Sequence, residues 1–155
     1  MLYPLFMAAA GLIHPNESAC RERLLDAVMF AREVAYDESE APLFEGPDGR
    51  YKTALLLLSI AYRESRWNAH ALNPDGGDAG IMQTRALWWD GHKKEEILAD
   101  PVLGYRVGLH ALQHLRTVCG GPALRWLGAF ASGKCGGAQS AARARCGPVG
   151  LCEAS

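Results

Sequence analysis

Apolar residues recur at helical spacing along most of the chain, and no segment alternates apolar and polar residues for long enough to indicate a large sheet. The pattern predicts four helices, over about residues 16–36, 49–65, 101–118 and 122–130. Asn16, Asp48 and Asp100 stand at the start of three of them and are good N-cap residues. The sequence therefore predicts a mainly α-helical fold.

Two segments between these helices are rich in turn-forming residues. Residues 37–49 are polar and contain Pro and Gly. The run Asn73-Pro74-Asp75-Gly76-Gly77-Asp78 is a strong turn signal that suits either a short hairpin or an irregular loop. No segment has the composition of an interdomain linker, so the helices are expected to form one domain.

The first thirteen residues are apolar apart from Tyr3 and Pro4, and this segment is too short to span a membrane. Two interpretations remain open, a signal-peptide core or an apolar arm that packs on the domain, because no Lys or Arg precedes the segment. We therefore expect an N-terminal arm or signal-like segment over residues 1–15. Residues 16–155 then form a single domain with a cysteine-bearing tail.

The composition is that of an ordinary globular protein, with 49% hydrophobic and 21% charged residues. A net charge of −1 does not favour a nucleic-acid partner. Nine acidic residues stand against four basic ones between Glu17 and Arg50, and basic residues dominate after residue 101. This asymmetry indicates either two solvated faces of opposite sign or a basic region that attracts an anionic polymer.

Five cysteines are many for a cytosolic domain of this size, and four of them fall in the last 37 residues. Their spacing matches no common zinc pattern, so two disulfides in the C-terminal region are the preferred interpretation. Three pairings of Cys119, Cys135, Cys146 and Cys152 remain open. Cys20 is left over as a buried thiol on a helix, and disulfides indicate an oxidising compartment.

Glu64 is the first candidate for catalysis. At about 100° per residue, it shares one stripe of the second predicted helix with Leu57, Ile60 and Ala61, and this stripe is the buried one. Burial disfavours the charged form of a carboxylic acid and suits a general acid that acts near neutrality. A buried structural hydrogen bond or ion pair is the more ordinary role for such a residue.

Three short motifs follow one another along the chain: Glu64-Ser65, Gly80-Ile81-Met82-Gln83 and Ala129-Phe130-Ala131-Ser132-Gly133. In this order and at this spacing they resemble the soluble lytic transglycosylase family, whose lysozyme-like fold is related to that of goose-type lysozyme. The resemblance extends over about residues 53–133, roughly half of the chain. It implies a mainly α, lysozyme-like single domain.

The resemblance also implies a role for each matching residue. Glu64 corresponds to the family's single catalytic acid, and Ser65 to a hydroxyl that helps to hold the polar groups of the site. The residues expected to line the sugar cleft are Gly80, Ile81, Met82, Gln83 and Phe130. The implied reaction is cleavage of the β-1,4 bond between N-acetylmuramic acid and N-acetylglucosamine of peptidoglycan, with formation of 1,6-anhydromuramic acid. No cofactor and no metal is implied.

The third motif departs from the family pattern, since Phe130 and Ala131 replace a tyrosine and an asparagine. The departure removes a hydroxyl and an amide near the cleft and allows a lower rate or a shifted specificity. It leaves one alternative open outside enzymology, a glycan-binding envelope component with weak or no turnover.

A second alternative is a lysozyme-like muramidase that hydrolyses the same bond. Inverting hydrolysis needs a second carboxylate roughly 6.5–9.5 Å from the acid. Asp75, Asp78 and Asp90 are candidates, and Asp78 is the best placed because it precedes Gly80 by two residues.

Two further pairs of residues have an ordinary structural explanation beside a functional one. Trp88 or Trp89 offers a stacking face for a sugar ring, although tryptophan at such positions is more often part of the core. His110 and His114 are four residues apart on a predicted helix, a spacing that can bind a metal. Because no third ligand is evident, no metal site is expected.

The expected partners are peptidoglycan glycan strands, with no nucleic acid and no stable membrane span. The expected location is the periplasm or the cell envelope, reached by export or by phage delivery. The small size suits an accessory enzyme of a secretion system, a pilus or a phage assembly.

Overall fold

The computed structural model describes residues 2–147 and 150–152. This part of the chain forms seven α-helices, and Ala86–Trp88 forms a 3₁₀ turn. The helices are α1 (Leu2–Ala10), α2 (Ser18–Ala35), α3 (Gly49–Ser65), α4 (Lys94–Ala99), α5 (Pro101–Cys119), α6 (Ala123–Ser132) and α7 (Gln139–Cys146). The prediction of a mainly α-helical domain is confirmed.

The four predicted helices correspond to α2, α3, α5 and α6, with ends that agree within two residues. Of the three predicted caps, only Asp100 accepts a hydrogen bond from a helical N–H, that of Leu103 at 3.2 Å. The prediction for Asn16 is wrong, because Glu17 occupies the N-cap position of α2. Asp48 does precede α3, but its carboxylate forms an ion pair with Lys52 at 3.5 Å instead of capping the helix.

Helix α3 is the centre of the fold. All ten residues from Thr53 to Tyr62 are buried, so the helix is covered on every side. It contacts α1, α2, α5 and α7. Solvent or a ligand can therefore reach α3 only near its two ends, and Glu64 lies near the C-terminal one.

The segment between α3 and α4 folds as a series of turns. Isolated antiparallel bridges join Leu72 to Ala79 and Ala79 to Thr84, so the predicted turn at residues 73–78 is closed as a minimal hairpin. No β-strand occurs in the described residues. A small separate core lies beneath these turns and consists of Ala79, Trp89, Ile97 and Val107.

Two disulfides constrain the C-terminal region, as predicted. Cys119 at the end of α5 is bonded to Cys135, and Cys146 at the end of α7 is bonded to Cys152. This is one of the three pairings that the sequence left open. The Cys20 thiol is buried, also as predicted. Burial, together with the neighbouring Glu17, raises the pKa of Cys20 to about 11, so the thiol is unreactive at neutral pH.

The acidic and basic segments are paired in part with each other. Arg106 on α5 contacts Asp37 at 2.9 Å and Glu40 at 3.0 Å, and Arg116 contacts Glu45 at 3.4 Å. These ion pairs join the loop before α3 to α5. Part of the charge asymmetry is therefore neutralised within the protein. The sequence alone suggests that these charges face solvent or attract an anionic polymer.

Helix α1 lies against α2 and α3 and buries Leu5 and Ala9 completely. Leu2, Tyr3 and Met7 of the same helix are exposed. Across residues 2–147 and 150–152, no helix has the length and apolar character needed to cross a membrane.

Candidate active site

Glu64 lies in the last turn of α3, one residue before the helix ends. Leu57, Ile60 and Ala61 have no exposed surface, as predicted, but the other faces of α3 are buried as well. The helix stops when Arg66 and Trp67 adopt left-handed backbone angles, with φ of +54° and +60°. Two such residues in succession are strained, so the surrounding structure must hold them in place.

Several contacts stabilise this turn. The indole N–H of Trp67 donates to the carbonyl of Leu58 at 3.0 Å, and the ring is buried. Arg66 forms an ion pair with Glu17 at 3.1 Å. Hydrogen bonds from the Cys20 thiol and the Tyr62 hydroxyl lower the pKa of Glu17, which keeps this carboxylate charged. The turn therefore fixes where α3 ends and where the Glu64 side chain emerges.

A cleft of about 350 Å³ opens beside Glu64. Its lining includes Glu64, Asp78, Gln83, Trp88, Phe130 and Arg145. The volume falls in the range of small-molecule binding sites. The Glu64 side chain is 22% exposed, so the desolvation predicted from its helical position is only partial.

The carboxylate of Glu64 forms an ion pair with Arg145, a residue of α7. Nη2 of Arg145 donates to Oε1 of Glu64. The other carboxylate oxygen has no partner among the described residues. One oxygen of the candidate acid is thus held, and the other is available to a ligand in the cleft.

The Gly80-Ile81-Met82-Gln83 motif forms a tight turn beside Glu64. Gly80 has a φ of +84°, and an added Cβ would lie 2.8 Å from Cγ2 of Ile97, so glycine is required there. The Ser65 hydroxyl donates to the carbonyl of Ile81 at 2.6 Å, which joins α3 to the motif. Gln83 donates from Nε2 to two carbonyls, at 2.9 Å each. The motif is consequently rigid.

The structure distributes the predicted cleft residues over two environments. Gln83 and Phe130 line the cleft together with Glu64. Ile81 and Met82 are buried in the core, with 2% and 1% of their surface exposed. Ser65 and Gly80 shape the turn through backbone contacts and do not belong to the cleft lining.

The neighbouring tryptophans have opposite environments. Trp88 is half-buried and lines the cleft, with its ring centroid 5.6 Å from that of His114. Trp89 is buried, and its indole N–H donates to Thr84 at 3.1 Å. A stacking role for Trp89 is therefore wrong, because the ring is part of the small core.

Of the three candidate second carboxylates, only Asp78 lines the cleft. It is paired with Arg85, whose Nε lies 3.5 Å from Oδ1. Asp75 is exposed in the turn, and Asp90 contacts His110 at 2.7 Å outside the cleft lining.

His110 takes part in a hydrogen-bonded cluster. Its two ring nitrogens contact Asp90 and Glu40 at 2.7 Å each. Burial opposes protonation of the ring, but the two carboxylates outweigh it and raise the pKa of His110. No group of three or more His, Cys, Asp or Glu side chains in the described ranges has a metal-binding arrangement.

The described residues form a mainly helical domain with a cleft at the end of its buried central helix, which is consistent with a lysozyme-like fold. A family model described as the Transglycosylase SLT domain matches residues 48–145. The chain therefore belongs to the transglycosylase SLT domain family. Neither the curated proteins nor the solved structures that were compared gave a significant match. Membership of the family associates the chain with cleavage of glycosidic bonds in peptidoglycan, outside the cytoplasm.

The main residue that sequence reasoning missed is Arg145. It lies in the tail that the sequence characterises only as small, basic and cysteine-bearing. The excess of basic residues after residue 101 is the one signal that bears on it, and that signal does not indicate a partner.

Proposed function

We propose that this protein is a peptidoglycan lytic transglycosylase that cleaves between N-acetylmuramic acid and N-acetylglucosamine and leaves 1,6-anhydromuramic acid. The observation that supports the proposal best is the position of Glu64, at the end of a buried helix and at the wall of a cleft. Its unengaged oxygen is available for proton transfer. Membership of the SLT domain family supports the same chemistry.

In this mechanism Glu64 is the only acid and base. Its protonated carboxyl gives a proton to the bridging oxygen, and the C1–O bond breaks with its electron pair on that oxygen. Positive charge of oxocarbenium character develops at the muramic acid carbon. The C6 hydroxyl of the same sugar then bonds to C1, and Glu64 accepts the hydroxyl proton. The ring closes, the acid is regenerated and no water is consumed.

Three cleft residues are suited to hold the sugars. Both observed hydrogen bonds of the Gln83 side chain use its Nε2, so its carbonyl oxygen remains an acceptor for a sugar hydroxyl or amide. Trp88 offers an aromatic face for stacking. Phe130 contributes apolar surface where the family has a tyrosine, so the contact made there by a hydroxyl is absent.

Hydrolysis of the same bond is the second candidate, and one observation favours it. Asp78 lines the same cleft as Glu64. It is the last residue of the turn that the bridge between Leu72 and Ala79 closes. A carboxylate in this region is suited to activate water. In that mechanism Asp78→Asn abolishes cleavage, whereas in the lytic mechanism anhydro product still forms.

Mass spectrometry of the soluble products from purified sacculi tests the proposal. Anhydromuramic ends, one water lighter than hydrolysed ends, are expected from the wild type and from Glu33→Gln, a matched control on an exposed position of α2. Glu64→Gln should release nothing while it still binds sacculi and keeps the wild-type circular dichroism spectrum. Reducing muramic ends would establish hydrolysis instead. Binding without any soluble product would indicate a glycan-binding component.

We further propose a periplasmic or cell-envelope location, with peptidoglycan strands as the substrate. The substrate lies there, and two disulfides suit an oxidising compartment. An accessory role in a secretion system, a pilus or a phage assembly is part of this proposal.

A further inference from the structure

We propose that Arg145 is a positioning residue for the reaction, which orients Glu64 and stabilises the carboxylate that forms when Glu64 gives up its proton. The inference rests on the proposed function, since it assigns a partner to the proposed acid. It adds α7, the helix after the third motif, to the active site.

The guanidinium of Arg145 is held independently of Glu64. Nη1 donates to the carbonyl of Ala141, one turn earlier in α7, at 3.0 Å. The main-chain carbonyl of Arg145 accepts a hydrogen bond from the buried Ser59 hydroxyl at 2.6 Å. Ser59 belongs to α3, the same helix that presents Glu64, so the backbones at the two ends of the ion pair are joined.

Neighbouring structure restricts α7 further. Ala142 and Cys146 are buried on its inner face. Cys146, the residue that follows Arg145, is bonded to Cys152. The helix packs on both α3 and α6. Only 14% of the Arg145 side chain is exposed, so its charge is less screened than that of a surface arginine.

The two oxygens of the Glu64 carboxylate have different environments and therefore different roles. Arg145 binds Oε1. The second oxygen is therefore the one that exchanges the proton with the substrate. Holding one oxygen restricts rotation of the carboxyl group, and a misplaced catalytic group costs rate even when substrate still binds.

The electrostatic effect of Arg145 on Glu64 also changes during the reaction. Glu64 is neutral before proton transfer and anionic afterwards, whereas Arg145 keeps its proton throughout. Its attraction is therefore stronger in the transition state than in the ground state, which is the condition for acceleration. The other charged residues that line the cleft, Asp78 and Arg85, are paired with each other.

The test compares Arg145→Gln, Arg145→Lys and the control Arg143→Gln. Arg143 lies on the same helix but is exposed and has no ion pair within residues 2–147 and 150–152. For Arg145→Gln we expect kcat about tenfold or more below wild type with little change in KM. Arg145→Lys should recover part of kcat, and Arg143→Gln should match wild type.

Thermal denaturation of each variant separates folding from catalysis, and Arg145→Lys serves if Arg145→Gln does not fold. An active wild type with an unchanged kcat in Arg145→Gln would overturn the inference alone. Higher activity in Arg145→Gln would also overturn it, because the ion pair would then inhibit Glu64. An inactive wild type, or an active Glu64→Gln, would overturn the proposed function and this inference with it.

Discussion

Gly128, in the middle of α6, faces the backbone of the loop that leads to α7. A Cβ added at this position would lie 2.2 Å from the carbonyl oxygen of Gly137 and 3.1 Å from the carbonyl carbon of Gly136. Ordinary contact begins at 3.4 Å, so the loop must move by about 1.2 Å, the difference between the two distances. The loop resists this shift because the N–H of Gly136 donates to the carbonyl of Arg125 on α6 at 2.9 Å.

These distances give the cost of Gly128→Ala. Overpacking costs about 1–3 kcal/mol, and the upper end applies because the obstructing atoms are backbone. Alanine returns about 1 kcal/mol of helix propensity relative to glycine. The net loss is about 2 kcal/mol, which corresponds to a Tm lower by about 4–8 °C in a chain of this length.

Gly104→Ala on α5 is the matched control for this prediction. The nearest contact of its Cβ would be the side chain of Ile81 at 3.2 Å, which can give way, and the backbone atoms around it lie at ordinary distances of 3.8 Å or more. Thermal denaturation under oxidising conditions should place Gly104→Ala within about 1 kcal/mol of wild type. A Tm for Gly128→Ala equal to or above that of Gly104→Ala would refute the argument that the loop backbone fixes the size of residue 128.

Two further predictions concern stability. Because its two carboxylate partners raise the pKa of His110 against the effect of burial, its contribution to stability is complete below about pH 6.5 and is lost as pH rises through the folded value. His110→Gln should therefore lower Tm more at about pH 5.5 than at about pH 8.5, and an equal loss at both would contradict this. The Cys119–Cys135 disulfide closes a loop of sequence separation 16 and should stabilise the fold by about 3 kcal/mol. The double variant with serine at both positions should show this loss in urea denaturation, and an unchanged midpoint would contradict it.

The long helices could be predicted because each has an extended apolar pattern. Helix α3 contains four leucines in succession, Leu55 to Leu58, and no polar residue interrupts its inner faces except small hydroxyls. Helix α7 differs, since only Ala142 and Cys146 of its eight residues are buried. A helix this short obtains its stability from neighbours and from the disulfide, and neither leaves a periodic signal in the sequence.

The candidate site was predictable where a local motif fixes the backbone. Glu64 is placed by its helical stripe, and Gln83 by a turn that only glycine permits at residue 80. Ile81 and Met82 belong to the same motif but point into the core, because the chain reverses direction within four residues. Trp88 and Trp89 likewise separate, one to the cleft and one to the small core. When two adjacent residues are of the same type, the sequence does not indicate which of them is buried.

The ion pair of Glu64 and Arg145 could not be predicted from the sequence, for a physical reason. Its members are 81 positions apart, and their meeting depends on where α7 is placed. That placement combines the Ser59 hydrogen bond, the burial of Ala142 and the Cys146–Cys152 disulfide, each of which is weak or ambiguous evidence in the sequence alone. A glutamate on a buried stripe suggests a neutral acid in an apolar site, whereas the folded chain gives it a cation. That cation holds one oxygen of the Glu64 carboxylate, and the Arg145 variants measure how much this contact contributes to the rate.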